Sequence, residues 1–258
     1  MKNLTIDIGN SSVKLAVFEQ DTMLEMMICE QAVLAQIDVL VKKYGIKKSI
    51  LSSVAIENKD ITEYLRSTTD FIELTADTPL PLKLEYETPN TLGLDRIAAA
   101  VGAMSMKPAA DLLVIDAGTC NTYDFVSADG VFKGGNITPG VEMRLKAMHA
   151  FTGRLPEVPT ADCAQLLGTS TQTALQCGAF WGVVYEIDGF IKALKLLYPK
   201  ISVFLTGGYA FYFEKRIKNR IFAVSNLVPI GLNKILIYNE KYTFFVLKLK
   251  TFLQKVNL

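Results

Sequence analysis

The sequence predicts an α/β protein of two lobes made by duplication, and three observations carry that reading. Two hydrophobic runs, Leu4 to Ile8 and Asp111 to Asp116, each lead into an Asp-x-Gly turn closed by an amide or hydroxyl residue: Asp7-Ile8-Gly9-Asn10 and Asp116-Ala117-Gly118-Thr119. A returning strand follows each turn, Val13 to Phe18 and Thr122 to Val126. The elements after each hairpin then come in a similar order. Turns of the Asp-Gly kind are common in hairpins, so either alone says little. Two of them opening equivalent halves of one chain indicate an internal repeat, and a repeat governs how the whole sequence is read.

In the first half, Leu4 to Ile8 is rich in β-branched residues, and Gly9-Asn10-Ser11-Ser12 is the turn of a hairpin. Met23 to Cys29 supplies a third strand. Ala32 to Tyr44 repeats Val33, Leu34, Ile37, Leu40 and Val41 at helical spacing and stops at Gly45. Ser49 to Ala55 reads as a buried strand, Asp60 to Arg66 as a short helix and Phe71 to Leu74 as a further strand. In the second half, Val131 to Gly135 follows the hairpin as a third strand, and Val141 to Phe151 is a helix introduced by Pro139-Gly140. Thr171 to Leu197 is a long apolar helical pattern, with a break expected near Gly178 or Gly182. Ser202 to Leu205 and Ile221 to Val224 are strands, the first running into Thr206-Gly207-Gly208, and Pro229 to Tyr238 is a closing helix. The lobes are placed at 1–112 and 113–240, with a tail at 241–258 that alternates apolar and lysine residues. That pattern suits either an extra amphipathic helix or a poorly ordered end.

Half of the 258 residues are hydrophobic, enough to fill a sizeable core, and the formal net charge is +1. Charges of both signs are interspersed and no long basic run occurs, which argues against a nucleic-acid or anionic-membrane partner. No apolar stretch reaches the ~18 residues of a membrane span, and the N-terminus lacks a secretion signal. Cys29, Cys120, Cys163 and Cys177 are scattered, form no Cys-x-x-Cys pair and read as free thiols, so the expected location is cytoplasmic. His149 is the single histidine, too little for a metal cluster or a triad. Trp181, Phe180 and Tyr185 belong to a core or a subunit interface.

The two turns suit phosphate. Glycine in a tight turn leaves backbone N–H groups open to phosphate oxygens, and successive N–H groups form an anion nest. Asn10, Ser11, Ser12 and Thr119 add side-chain donors, and Lys14 adds a positive charge unless it is only a solvated strand residue. Asp7 and Asp116, at the strand ends, can hold a metal ion directly or through water. Thr206-Gly207-Gly208 offers bare backbone to an adenosine. These features predict an ATP-binding chain. Gly134-Gly135 and Pro139-Gly140 serve either chain reversal or substrate contact.

Four motifs occur here in one order: Asp7-x-Gly9-Asn10-Ser11-x-x-Lys14, Gly93-Leu94-Asp95-Arg96, Asp116-Ala117-Gly118-Thr119 and Gly134-Gly135-x-Ile137-x-Pro139-Gly140. Together they resemble type III pantothenate kinase, within the acetate kinase, sugar kinase, Hsp70 and actin superfamily, from about residue 4 to about residue 237. The resemblance implies two ribonuclease H-like lobes with an ATP cleft between them. It implies transfer of the ATP γ-phosphate to pantothenate, giving 4'-phosphopantothenate, the first step of coenzyme A biosynthesis. By the same resemblance Asp95 is the general base and Arg96 its catalytic neighbour. Asp7, Ile8, Gly9, Asn10, Ser11, Ser12, Val13, Lys14, Gly118 and Thr119 bind nucleotide, and Tyr86, Gly93, Leu94, Asp95, Arg96 and Thr171 bind pantothenate, Thr171 reaching across from a partner subunit of a homodimer. Asp116 takes a monovalent cation, potassium or ammonium, and Asp7 takes magnesium. Two other readings remain: a different small-molecule kinase of the superfamily, and a catalytically silent regulator on the same fold. Asp95-Arg96 has a plainer reading too, a helix-start carboxylate followed by a surface arginine. Cys120-Asn121 departs from the small or apolar residues usual after the second turn.

Overall fold

The structure is a computed structural model that describes residues 1–30, 33–53 and 58–255, with side chains as far as Lys241. The chain divides into two compact units, residues 1–106 with 227–258, and residues 107–226. In the first, β1 (Lys2–Ile8), β2 (Val13–Glu19), β3 (Thr22–Cys29), β4 (Lys48–Ser53) and β5 (Asp70–Glu73) form one sheet in the order β3-β2-β1-β4-β5. β1 runs antiparallel to β2 and parallel to β4. The pleat sends alternate residues of β1 to opposite faces. Leu4, Ile6 and Ile8 meet Ile37 and Leu40 of α1 (Leu34–Tyr44) and Leu65 of α2 (Lys59–Thr68) in one buried cluster. Asn3, Thr5 and Asp7 lie on the other face, where Asn3 donates to Asn233 of α7 (Leu227–Lys255) at 3.0 Å. A two-residue strand, β6 (Lys83–Leu84), precedes α3 (Leu94–Met106).

α3 and α7 pack backbone against backbone. A Cβ added at Gly231 would lie 1.7 Å from the Ala98 carbonyl oxygen, and one at Gly102 would lie 2.4 Å from that of Leu227. This crossing explains why the closing helix belongs with the first unit, whereas the sequence boundaries assign residues up to 240 to the second. Ala98 and Gly102, both small, meet α7 at the crossing and let the two axes approach. α7 also continues without interruption to Lys255, so the backbone of the tail as far as that residue is helical rather than irregular.

In the second unit, β7 (Leu112–Ala117), β8 (Cys120–Val126), β9 (Val131–Pro139), β10 (Ser202–Thr206) and β11 (Phe222–Ala223) lie in the order β9-β8-β7-β10-β11. β7 is antiparallel to β8 and parallel to β10. That is the first unit's order and polarity repeated, so both units carry the ribonuclease H-like sheet. α4 (Val141–Ala150), α5 (Thr171–Leu197) and the short α6 (Ala210–Glu214) cover one face. Their Leu145, Phe180, Val184, Ile187 and Phe213 join Leu113, Ile115, Val203 and Leu205 in the core. α5 is one unbroken helix of 27 residues, and the break expected at Gly178 or Gly182 does not occur. Packing of its apolar face into the core keeps the helix continuous across both glycines. The predicted strand over Ser49 to Ala55 ends at Ser53 among the described residues, and Ala32, Val54 and Ala55 lie outside them. No helix among the described residues is long and apolar enough to cross a membrane.

Candidate active site

In the first unit the β1–β2 turn is tight, with the Gly9 N–H donating to the Ser12 carbonyl at 3.0 Å. Asn10 and Ser11 are exposed at its tip, Ser12 is half-buried, and Ile8 and Val13 are buried where the strands enter the core. The register places Asp7 opposite Lys14 on one side and Ser52 on the other. Paired residues in a sheet project to the same face, so Lys14, Asp7 and Ser52 form one polar row at the carboxyl end of β1. Asp7 is 7% exposed and Lys14 half-buried, so Lys14 is not a freely solvated strand residue. The Ser52 hydroxyl is buried and finds no hydrogen-bond partner among the described residues. Sequence reasoning missed Ser52, although a serine ending an apolar strand beside Asp7 was visible in principle.

Gly93-Leu94-Asp95-Arg96 sits at the start of α3, following the turn Pro89–Thr91. The Asp95 carboxylate accepts from the Arg96 N–H at 2.9 Å, which satisfies one of the donors a helix start leaves open. A Cβ at residue 93 would lie 2.5 Å from Asp95 Oδ1, so glycine there makes room for the carboxylate. Arg96 is 5% exposed and so is not the surface arginine of the plainer reading. Leu94 and Tyr86 are half-buried, Tyr86 in the loop after β6.

The second unit repeats the arrangement. The Gly118 N–H donates to the Cys120 carbonyl at 3.1 Å, Thr119 is exposed at the tip, and Asp116 lies between Thr122 of β8 and Thr206 of β10. The Thr122 hydroxyl is buried and without a hydrogen-bond partner among the described residues, as at Ser52. Two glycine segments close on this turn. Gly207, at φ +96°, places its Cα where an added Cβ would be 2.4 Å from Asp116 Oδ1, and the Tyr209 N–H donates to Ala117 at 3.0 Å. The Gly140 N–H donates to the Thr119 carbonyl at 3.0 Å, and a Cβ there would be 2.4 Å from the Gly118 carbonyl oxygen. Gly134, at φ +129°, sits where the β8–β9 register shifts, so it serves a bulge.

Behind the turn is a group that sequence reasoning missed. Glu186 of α5 accepts from Tyr123 of β8 at 2.7 Å, from Thr138 of β9 at 2.5 Å and from Arg144 of α4 at 2.5 Å. Burial pushes its carboxyl upward, but these three donors outweigh that and hold it below the usual value. Burial and the bond to Glu186 push the Tyr123 phenol far up, so it stays a donor. The signal was an acid, one of two with Asp188, inside the apolar run of α5. Thr171 is exposed at the first turn of α5, whose start is closed by a reciprocal Ser170–Thr173 capping box. His149 is exposed and bonds the Leu155 carbonyl at 2.8 Å. The four cysteines are free, and burial next to Cys177 raises the Cys163 thiol.

Among the described residues no group of three or more His, Cys, Asp or Glu could hold a metal ion alone. Each turn instead offers one carboxylate beside a partnerless buried hydroxyl. These are hard oxygen donors, which fit magnesium bound mainly by substrate phosphates or a weakly held monovalent cation.

A sequence model of the type III pantothenate kinase family matches residues 3–193. A protein of Phocaeicola vulgatus described as type III pantothenate kinase is 45% identical over 240 residues, spanning 93% of this chain and 99% of its own. One from Bacteroides fragilis, described in the same words, is 45% identical over 239 residues, covering 92% and 98%. Among solved structures, a conserved protein of Campylobacter jejuni assigned to the Baf family of transcriptional activators superposes with a TM-score of 0.60 at 23% identity, covering 92% of this chain and 99% of that one. The Lmo2764 protein of Listeria monocytogenes, described as an N-acetylmannosamine kinase, does so with a TM-score of 0.55 at 12% identity, covering 93% and 100%. At those identities the two structures establish the fold alone.

Proposed function

This chain belongs to the type III pantothenate kinase family, and on that premise we propose how its residues carry out ATP-dependent phosphorylation of pantothenate. The observation that carries the reading is Asp95, half-buried at the start of α3 with glycine rather than a side chain at residue 93. The pantothenate hydroxyl oxygen bonds to the γ-phosphorus as the β–γ bridging bond breaks, its proton passes to the Asp95 carboxylate, and ADP leaves. Arg96 binds the acceptor or offsets charge on the transferring group, a role that accounts for keeping a guanidinium buried. Tyr86, Gly93 and Leu94 line the acceptor site, and Thr171 is contributed by the partner subunit of a homodimer.

Residues 8–13 hold ATP through turn N–H groups and the Asn10, Ser11 and Ser12 side chains, and Lys14 draws the γ-phosphate. Gly118 and Thr119 take a second phosphate contact. Asp7 would hold the magnesium and Asp116 the potassium or ammonium ion. Those cations supply neutralisation of phosphate charge, while the chain's own groups orient the reactants. The location inferred is the cytoplasm.

The test is direct. Purified protein with ATP, magnesium and potassium is expected to convert pantothenate to 4'-phosphopantothenate, followed by ADP release and by mass spectrometry. A product from another alcohol in a substrate panel, with pantothenate untouched, would reassign the acceptor. Nucleotide binding with no turnover on any alcohol would favour the silent regulator, against which the presence of Asp7, Lys14, Asp95, Arg96, Asp116 and Thr119 together already argues.

A further inference from the structure

We propose that Glu186 is a positioning residue for the second phosphate turn, holding Gly118-Thr119 in its working shape through Arg144 and Thr138. The inference rests on the reading of that turn as a nucleotide contact. Its basis is a chain of contacts from α5 to the turn. Arg144 spans two partners: one guanidinium nitrogen pairs with Glu186 at 2.5 Å, and Nε donates to the Pro139 carbonyl at 2.8 Å. The Arg144 backbone N–H donates to the Gly140 carbonyl at 3.0 Å. Pro139 and Gly140 are therefore gripped from one side. On their other side, Gly140 donates to Thr119 and lies so close to Gly118 that no side chain fits between them. Thr138, one residue earlier, is fixed by its own bond to Glu186.

The carboxylate thus fastens three elements at one point: β8 through Tyr123, β9 through Thr138 and α4 through Arg144. β8 and β9 both run directly into the turn region, with Cys120 opposite Pro139 in register. Glu186 and Arg144 are each about a quarter exposed, with 23% and 22% of their side-chain surface open. A pair this sheltered is coupled to its neighbours and is not a solvated surface ion pair of little consequence. Three donors converging on one glutamate exceed what an apolar helix face needs for packing. Their common destination is the backbone that shapes the turn.

The experiment compares Glu186→Gln, Arg144→Met and the double variant with the full-length wild-type protein. The readouts are KM for ATP, KM for pantothenate, kcat, equilibrium affinity for a non-hydrolysable ATP analogue, and Tm. Glutamine keeps the size and the bonds to Tyr123 and Thr138 but turns an amide donor towards the Arg144 guanidinium. KM for ATP and the dissociation constant of the analogue are expected to rise on the order of tenfold, short of the ~100-fold that a 1 Å misplacement can cost. KM for pantothenate is expected to stay within about twofold, and the double variant to be no worse than either single one, because the two residues act through one link. If Glu186→Gln does not fold, Thr138→Val removes a single donor with little change of shape and is expected to move the same quantity by less. A fall in Tm with analogue affinity unchanged would overturn the proposal, as would parallel rises in both KM values. Analogue affinity does not depend on the acceptor, so the positioning role is decided even if pantothenate is not turned over, an outcome that would count against the proposed function alone.

Discussion

Replacing Gly231 with alanine tests the helix crossing on which Asp95 and Arg96 depend. The added Cβ would stand 1.7 Å from the Ala98 carbonyl oxygen, 2.6 Å from its carbon and 3.0 Å from the Gly102 nitrogen. All three neighbours are backbone, so no side chain can rotate aside and α7 must retreat from α3 by more than an ångström. Overpacking of this kind costs about 1–3 kcal/mol and occasionally more. Alanine offsets part of that by its better helix propensity, worth about 1 kcal/mol against glycine. With no soft neighbour to absorb the strain, the net loss is expected near the upper end, about 2 kcal/mol. For a chain of this size that lowers Tm by about 4–8 °C. Turnover is expected to fall as well, since α3 carries Asp95 in its first turn. Gly189→Ala is the control: it lies exposed on α5 with nothing within 4 Å of the added Cβ, and the same substitution there is expected to raise Tm slightly. Scanning calorimetry on both variants settles the matter. A Gly231→Ala protein that melts within a degree of wild type would show that the two helices do not meet as described.

Asp95→Asn is expected to lower kcat by about 10²–10⁴-fold, the range of a general base, while nucleotide affinity stays near wild type. Loss of nucleotide binding would instead give Asp95 a structural role. The Glu186 carboxyl is lowered in the folded chain, so the unfolded chain takes up the proton first as pH falls. Its contribution to stability is complete above the ordinary carboxyl value of 4.5 and is lost as pH drops through the folded value. The stability gap between wild type and Glu186→Gln in urea is therefore expected to narrow below about pH 4.5 and to stay constant between pH 6 and 7.

Much of this was legible in the sequence because it depends on short-range rules. Strands ending in Asp-x-Gly turns, the Ala32–Tyr44 periodicity closed by Gly45, and the duplicated order all follow from local pattern, and both sheets have the order that duplication requires. The motif positions were legible too. Illegible were the features that depend on what meets what across sequence. Gly102 and Gly231 give no sign, 129 residues apart, that their backbones touch, so the closing helix is assigned by sequence to the wrong neighbour. The glycines of α5 suggested a break, yet tertiary packing of its apolar face overrides their weak propensity. Glu186 was one acid in a helix until Tyr123, Thr138 and Arg144 converged on it. Ser52 and Thr122 became interesting only once register placed each beside an aspartate.

That register also separates two turns that look alike. In the first unit the row is Lys14, Asp7, Ser52, and in the second it is Thr122, Asp116, Thr206. The two aspartates occupy the same place in the same sheet, but the strand beside β1 contributes a cation and the strand beside β7 contributes a hydroxyl. In the first row an ammonium group stands beside the carboxylate that the proposed function gives to magnesium, and it lowers the net negative charge of that row. In the second row the cross-strand neighbours of Asp116 are hydroxyl side chains, hard oxygen donors of the kind a cation takes as ligands. On the proposed reading of Asp116 as the monovalent-cation ligand, the difference of one residue, Lys14 against Thr122, is what would separate the two rows. Thr122→Lys puts the first row's cation into the second. If that reading holds, this variant is expected to turn over without added potassium or ammonium, with a rate flat across a potassium titration that is expected to activate the wild-type protein. Thr122→Val, which removes the hydroxyl and adds no charge, is expected to raise the potassium concentration needed for half activation. A Thr122→Lys protein that folds, binds ATP and still needs potassium would refute the link between that row and the cation.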